Sequence, residues 1–326
     1  MFARLSCAVV DAGTVAAGKA SRNCSAKPVG VVAHAKTALV LHGLMGSHRN
    51  WLQFTRQLVR THPSWRFVLV DLPGHGGREG LSHGSCTRPT NLYAAAKDLH
   101  DTVALHKAAF PHGWAGVHAA VGHSMGGRLL LKLLQSFPEV CTDRAPAGQG
   151  SAPHALRVAT LDTMPGSFNY ACKDTDQDGV SHVLDFVASM PSSIPSRAWL
   201  QLQCTQHGFS QGMARWMGTN LEASRCGAHL HLSFDLKLVR QLLESHHSSD
   251  QWSVLQHPPS GCELHAVLAT HSSRWRDADV KAHLGKVPGD GVGACLHWMQ
   301  GGHWLHVDNS AGLKQWLGQN ILLSER

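Results

Sequence analysis

Hydrophobic positions along the chain follow two alternating periods. Short apolar runs closed by Gly, Pro or Asp read as buried strands: TALVLHG (Thr37 to Gly43), WRFVLVDLPG (Trp65 to Gly74), GVHAAVGHS (Gly116 to Ser124) and ALRVATLD (Ala155 to Asp162). Runs that are apolar at nearly every position suit strands covered on both faces, as in a parallel sheet. Between them the spacing becomes helical. Trp51, Phe54, Leu58 and Val59 share one side of GSHRNWLQFTRQLVR, and Leu92, Ala95, Ala96, Leu99, Val103 and Leu105 share one side of Thr90 to Phe110. MGGRLLLKLLQSF is a further helix, closed by Pro138. Strands alternating with helices predict an α/β fold, a mostly parallel central sheet with helices on both faces.

The alternation breaks after Met164. To about His257 the spacing predicts helices and loops and no strand: SHVLDFVASM, SRAWLQLQ, FSQGMARWM and FDLKLVRQLLES. Strand signals resume with ELHAVLAT and GACLHWMQ, and AGLKQWLGQNILL is the last helix. The expected organisation is a core in two pieces, 1–163 and 258–326, around an inserted helical cap at 164–257.

The first 36 residues carry Arg4, Lys19, Arg22, Lys27 and Lys36 against one acid, Asp11. Two readings compete there: an organellar transit peptide, or a first strand in LSCAVVDAG. The strand is preferred because Cys7 to Val10 are strand formers followed by Asp-Ala-Gly.

Composition narrows the function classes. The formal charge is +7, but the basic residues are scattered, with no Lys/Arg block and no basic stripe, which speaks against nucleic acid as partner. No run approaches the roughly 18 apolar residues a membrane span needs. The nine cysteines are widely spaced without Cys-x-x-Cys, so they form no disulfide framework and point to an intracellular, reducing compartment. Cytoplasm is the default, with chloroplast or mitochondrion the alternatives if the basic N-terminus is a leader.

Gly122-His123-Ser124-Met125-Gly126 fits G-x-S-x-G, a sharp strand-to-helix turn that presents a nucleophilic serine. The competing reading is a small residue at a tight turn; the apolar run before it and the leucine-rich helix after it favour the nucleophile. The Met125 N–H, at the helix N-terminus, is one oxyanion donor. His42-Gly43-Leu44-Met45-Gly46 ends the first clear strand, and the Leu44 N–H would be the second. The plain alternative there is a Gly-rich strand exit. GGHWLHVDN offers His303 as general base after the last strand, with His306 as its rival. The acid is open between Asp162, which is preferred, and Asp235, Asp277 or Asp279. The loop after the next-to-last strand, a common place for such an acid, holds Ser273-Arg274-Trp275 instead. Asp162 ends the strand next to the nucleophile strand, close enough to reach the same imidazole. His42 and Gly43 border the site, while His42, His75 and His123 read chiefly as structural groups at strand ends. Trp199, Met213, Trp216 and Met217 have helical spacing and are expected on the underside of the cap, lining an apolar acyl pocket.

Two clusters suggest metals and are set aside. Asp174, Asp176, Asp178 and Gly179, with Asp185 at the twelfth position, copy part of a calcium loop, but Ser181 stands where an apolar residue belongs and Pro165-Gly166 displaces the incoming helix. Ser245-His246-His247 with Asp250 lacks a partner cluster for zinc. No metal and no cofactor is expected.

LHGLMGSHRNW, VLVDLPGHG, VGHSMGG, LDTMPG, FDL, HPPSG, SSRW and GGHWLHVDN occur in one order from about Thr37 to Leu317. In this the chain resembles the α/β-hydrolase superfamily, specifically an esterase-like branch with bacterial, mitochondrial and plant members. The resemblance implies the α/β-hydrolase fold and ester chemistry by Ser124, His303 and an acid after strand six, the place held by Asp162. The stretch Cys141 to His154 is longer than in the smaller relatives, and Pro73 and His75 stand where relatives vary. The expected activity is hydrolysis of a small-molecule carboxylic ester or thioester with a modest-sized apolar acyl group. Two alternatives stand beside it. One is a C–C bond hydrolase or lyase on the same scaffold, with Arg197, Arg215 or Arg225 holding a substrate carboxylate. The other is a non-catalytic ligand receptor of the fold.

Overall fold

The computed structural model describes residues 5–16, 36–77, 90–142, 154–167, 178–224, 227–289 and 291–323. The strands are β1 (Cys7–Val10), β2 (Lys36–Leu41), β3 (Trp65–Val70), β4 (Val117–His123), β5 (Leu156–Leu161), β6 (Leu221–Ala223), β7 (Leu230–Leu232), β8 (Cys262–Ala269) and β9 (Cys295–Met299). Seven of them form one sheet in the order β1-β3-β2-β4-β5-β8-β9. β1 runs antiparallel to β3 at one edge, and every other pair in this sheet is parallel. The strand reading of Cys7 to Val10 therefore holds; most of the stretch read as a leader, 17–35, lies outside the described residues.

The continuous apolar runs are explained by burial on both faces. Leu39, Leu41, Val68 and Val70 point into one core with Leu92, Leu99, Leu129 and Leu133. Ala38, Val40, Phe67 and Leu69, one residue out of step, point into a second core with Trp51, Phe54, Leu58, Leu313 and Leu317. The covering helices are α1 (Arg49–Thr61), α2 (Leu92–Leu105) and α3 (Met125–Ser136) before β5, and α8 (Ser310–Asn320) at the end. Between β5 and β8 lie α4 (Val180–Ser189), α5 (Arg197–Gln206), α6 (Gln211–Thr219) and α7 (Leu236–His247). Their caps are legible: the Ser196, Ser210 and Asp235 side chains accept backbone N–H groups at the starts of α5, α6 and α7.

One expectation for this region needs correcting. Residues 164–257 are not strandless, because β6 and β7 pair antiparallel as a ribbon. Three residues per strand are too few to display a period-two pattern. Short helices at Trp252–Gln256 and Ala278–Leu284 are likewise additions to the sequence reading.

Two buried charges hold the layers together. Asp71, just past β3, accepts from the Ser6 hydroxyl at 2.6 Å, the His48 N–H at 2.7 Å and His48 Nδ1 at 2.8 Å. Burial alone would raise its pKa; the His48 charge and hydrogen bond, with His42 and Ser6, hold it well below the usual carboxylate range. Arg128 on α3 is fully buried and donates to the carbonyls of Met164 (2.7 Å), His246 (3.2 Å) and Ser249 (2.5 Å). It thereby fastens α3 to the chain leaving β5 and to the end of α7. A polar seam ties the β6–β7 region to the start of α1: Ser47 to Asn220 at 3.2 Å, Asn50 to Thr219 at 2.9 Å, and the Arg49–Glu222 ion pair.

Asp71→Ala is expected to lower the unfolding free energy by about 3 kcal/mol, since it strands several partly buried donors around a fully buried acceptor site. Urea unfolding checks this, and a loss under 1 kcal/mol would remove Asp71 from the list of structural ties.

Candidate active site

β4 passes into α3 with one residue between them, Ser124, whose φ of 52° and ψ of −115° are unusual for a residue with a side chain. The flanking glycines make that turn sterically feasible. A Cβ on Gly122 would lie 2.5 Å from the Gly127 nitrogen, and one on Gly126 would lie 2.6 Å from the His42 carbonyl oxygen. The Ser124 N–H donates to the Leu161 carbonyl at 3.0 Å, which ties the turn to the neighbouring strand.

Of the two histidines considered, His303 is the one beside Ser124. Its Nε2 is 3.1 Å from the Ser124 hydroxyl, and its Nδ1 is 2.7 Å from Asp162 Oδ2. His306 instead stacks on Trp51, with ring centroids 4.4 Å apart. The loop carrying His303 is held at both ends. The Gly302 N–H donates to Asp308 at 3.0 Å, and His123 Nε2 lies 2.7 Å from the His303 carbonyl oxygen, which accepts its proton.

Among the four acids weighed, only Asp162 meets the imidazole. Asp235 accepts from the N–H groups of Lys237 and Leu238 at the start of α7, and Asp277 does the same for Asp279 and Val280. Asp279 lies in the first turn of that short helix. Asp162 also has positive φ, 43°, and its Oδ1 accepts from the Ala269 N–H at 3.0 Å and the Trp275 indole N–H at 2.5 Å. Burial would raise its pKa, but the hydrogen bond and charge of His303, with Arg274 and Trp275, keep the carboxyl below its ordinary value.

Leu44 and Met125 border the same pocket as Ser124. Met125 opens α3, so its N–H belongs to the helix end where the dipole favours negative charge. His42 shapes the Leu44 turn: its Nδ1 donates to the Gly43 carbonyl at 2.7 Å and its Nε2 accepts from the Leu72 N–H at 3.0 Å. His75 Nε2 accepts from the Met45 N–H at 3.0 Å. Burial lowers the pKa of His42, of His123 and, to about 3, of His75 and His306. Burial thus favours the neutral form of His42, His123 and His306 on the pocket wall, which also carries Arg274 and Asp178.

The pocket has a volume of about 740 Å³ including its mouth. His42, Gly43, Met213 and Trp216 line it as expected residues; Trp199 and Met217 do not. Met217 is fully buried one helical turn beyond Met213, on α6, which packs against α5. Trp199 is half-buried against the core cluster. Lining residues missed from the sequence include Arg274, Trp304, Val183, Leu243 and His246. Trp304 could have been found, since it adjoins His303 in sequence; its ring lies 6.0 Å from that of Trp216.

Arg274 is the larger omission. Its Nη1 is 2.8 Å from His303 Nδ1 and 3.5 Å from Asp162 Oδ2. The arginines weighed as carboxylate holders sit elsewhere: Arg197 donates to the Gly218 and Leu221 carbonyls, Arg215 is exposed, and Arg225 lies outside the described residues. Of the calcium-like loop, Asp174 and Asp176 are outside the described residues, and Asp178 accepts from the Ser210 N–H and hydroxyl. Among the described residues no group of three or more His, Cys, Asp or Glu is placed to hold a metal ion, and no helix is long and apolar enough to cross a membrane.

Comparison with known proteins adds the family. A family model described as "Alpha/beta hydrolase family" matches residues 38–315. A putative 2-succinyl-6-hydroxy-2,4-cyclohexadiene-1-carboxylate synthase of Bacillus subtilis is 27% identical over 32% of this chain and 33% of its own length. The chloroplastic protein PHYLLO of Arabidopsis thaliana is 28% identical over 41% of this chain and 8% of its own length. The matches thus span a third or less of these curated relatives. Among solved structures, an esterase from a marine microorganism superposes with a TM-score of 0.64 at 17% identity, covering 88% of this chain and 95% of that one. That likeness is one of fold.

The buried histidines generate an acid-stability prediction. A base whose folded pKa lies below its unfolded value of 6.5 contributes stability that is complete above 6.5 and is lost as pH falls toward the folded value, because the unfolded chain takes up the proton first. Unfolding free energy should therefore decline from about pH 6.5 toward pH 3, by about 1.4 kcal/mol per pH unit for each such histidine. His306→Asn should reduce that slope by one histidine's share in urea titrations between pH 7 and pH 4. A slope identical to wild type would show that His306 does not contribute.

Proposed function

Because the chain belongs to the alpha/beta hydrolase family, we propose that it is a serine hydrolase that cleaves a carboxylic ester or thioester through an acyl-enzyme intermediate. The observation that carries this reading is the continuous relay from the Ser124 hydroxyl through His303 to Asp162, opening into a pocket bordered by Leu44 and Met125.

In this mechanism His303 carries its proton on Nδ1, donated to Asp162, which leaves Nε2 free to accept from Ser124. As the Ser124 oxygen attacks the acyl carbon, the proton moves to Nε2 and the carbonyl oxygen becomes an oxyanion. The N–H groups of Leu44 and Met125 receive that charge; one such donor is typically worth about 10²–10³ in rate. The imidazolium then gives its proton to the leaving alcohol or thiol, and Asp162 stabilises the cation meanwhile. Water enters, His303 removes its proton, and the acyl-enzyme is hydrolysed. No metal or redox cofactor takes part. Residues 164–257 act as the cap, with Val183, Met213, Trp216 and Leu243 supplying an apolar wall for the acyl group. An intracellular, reducing compartment suits the nine widely spaced cysteines, which lack any Cys-x-x-Cys pair.

On a panel of p-nitrophenyl esters, Ser124→Ala and His303→Ala should each lower kcat/KM by about 10⁵, and Asp162→Asn by about 10³–10⁴. A fluorophosphonate probe should label wild type and not Ser124→Ala. Labelling that survives in Ser124→Ala, or full activity without His303, would overturn the mechanism.

A further inference from the structure

The Asp162 carboxylate is buried, so its charge is met by groups of the chain and not by solvent. Its backbone is fixed first. The Asp162 N–H donates to the Val267 carbonyl at 2.7 Å, which ties the residue to β8, and its φ of 43° turns the chain sharply there. The carboxylate can still rotate about Cβ–Cγ, a torsion whose wells are broad. Two donors stop that rotation at Oδ1. The Ala269 N–H, at the end of β8, lies 3.0 Å away, and the Trp275 indole N–H lies 2.5 Å away. With Oδ1 pinned, Oδ2 faces His303 Nδ1 at 2.7 Å, and Arg274 Nη1 stands further off at 3.5 Å. The indole makes the shortest of these four contacts. It comes from the turn Ser273–Arg276 after β8, where Arg274 reaches the pocket wall and Trp275 is packed in the core.

We propose that Trp275 is a positioning residue: its indole N–H fixes the rotation of the Asp162 carboxylate and, through it, the tautomer and orientation of His303. This rests on the serine-hydrolase reading above and names what holds the acid of that site in its working geometry. The turn after β8 carries Ser273-Arg274-Trp275 and no acid. It then serves the site by holding an acid that stands on another strand.

Two physical arguments support it. The first is geometric. A carboxylate held at Oδ1 by the Ala269 N–H alone can swing about that single point. A second donor, arriving from a different element, removes the swing and leaves Oδ2 aimed at the imidazole. The second concerns charge. Asp162 must stay ionised to accept the Nδ1 proton and to stabilise the imidazolium. Burial opposes this, and the hydrogen bonds of His303 and Trp275 work against burial. An indole N–H donates and cannot accept, so it favours the anion over the protonated acid. It also carries no charge of its own beside the imidazolium.

The test is a double-mutant cycle on p-nitrophenyl esters with wild type, Trp275→Phe, Asp162→Ala and the double variant, each checked by circular dichroism melts. Trp275→Phe alone should lower kcat/KM by about ten- to a hundredfold, the span of a hydrogen bond to a charged group. The loss should fall on kcat and leave KM nearly unchanged, because Trp275 is packed in the core. In the Asp162→Ala background the same substitution should cost nothing further, since its acceptor is gone. Equal losses in both backgrounds, or a loss confined to KM, would show that Trp275 only supports packing and would overturn the proposal. If Trp275→Phe does not fold, the cycle is run with 3-benzothienylalanine at position 275, which keeps the bicyclic ring and removes only the N–H. Proton NMR separates this inference from the hydrolase reading. The proton between His303 Nδ1 and Asp162 should give a far-downfield resonance in wild type that is lost in Asp162→Ala. Without the indole N–H it should move upfield or broaden away. That response, with no ester turned over by wild type, sinks the hydrolase reading and leaves Trp275 as the holder of Asp162. Turnover by wild type, with a resonance indifferent to the loss of the indole N–H, sinks the positioning role and leaves the hydrolase reading standing.

Discussion

The left-handed backbone at Ser124 is the constraint on which the site depends. A residue with a side chain held there costs about 1–3 kcal/mol, and such a conformation persists only where its surroundings over-determine it. Here β4, α3 and β5 do so together. Gly122 and Gly126 let the strand end and the helix start touch, and the Leu161 carbonyl receives the Ser124 N–H. The other non-glycine residues of positive φ among those described are Met45 and Asp162. All three lie just past the ends of neighbouring central strands, β2, β4 and β5. The strain is therefore gathered at one rim of the sheet, where each chain must turn sharply to present a group to the pocket.

That rim is also where charge is managed. The parallel sheet delivers several polar side chains to one place, and burial would leave them costly if they were charged or unpaired. The histidines answer this by staying neutral and trading hydrogen bonds with the backbone: His42 with Gly43 and Leu72, His75 with Pro73 and Met45, His123 with the His303 carbonyl. The buried acids Asp71 and Asp162 remain ionised because each collects several donors. The two buried arginines differ in purpose. Arg128 is absorbed by carbonyl groups and works as cement, whereas Arg274 faces the pocket and leans on the imidazole.

The chain between β5 and β8 contributes through placement more than through chemistry. Its helices deliver Val183, Met213, Trp216 and Leu243 above Ser124, and its β6–β7 region is tied to the loop that leads into α1. The pocket wall and the chain that follows the His42-Gly43-Leu44 turn are thereby joined by a few hydrogen bonds.

How much of this was legible in the residues follows from the range of the interactions involved. Strands buried on both faces betray themselves as unbroken apolar runs, and the Ser124 turn by its glycines, because both signals are local and each rests on a few neighbouring residues. His303 and Asp162 could be singled out because a parallel sheet brings the ends of adjacent strands to one edge whatever the intervening loops do. The β6–β7 ribbon, the absence of Trp199 and Met217 from the pocket, and the seat of Arg274 against the imidazole belonged to the tertiary structure alone. A helix with apolar residues on several sides has no preferred rotation until its partners pack against it. A side chain as long as arginine takes its direction from whichever distant acceptors the fold happens to place within reach.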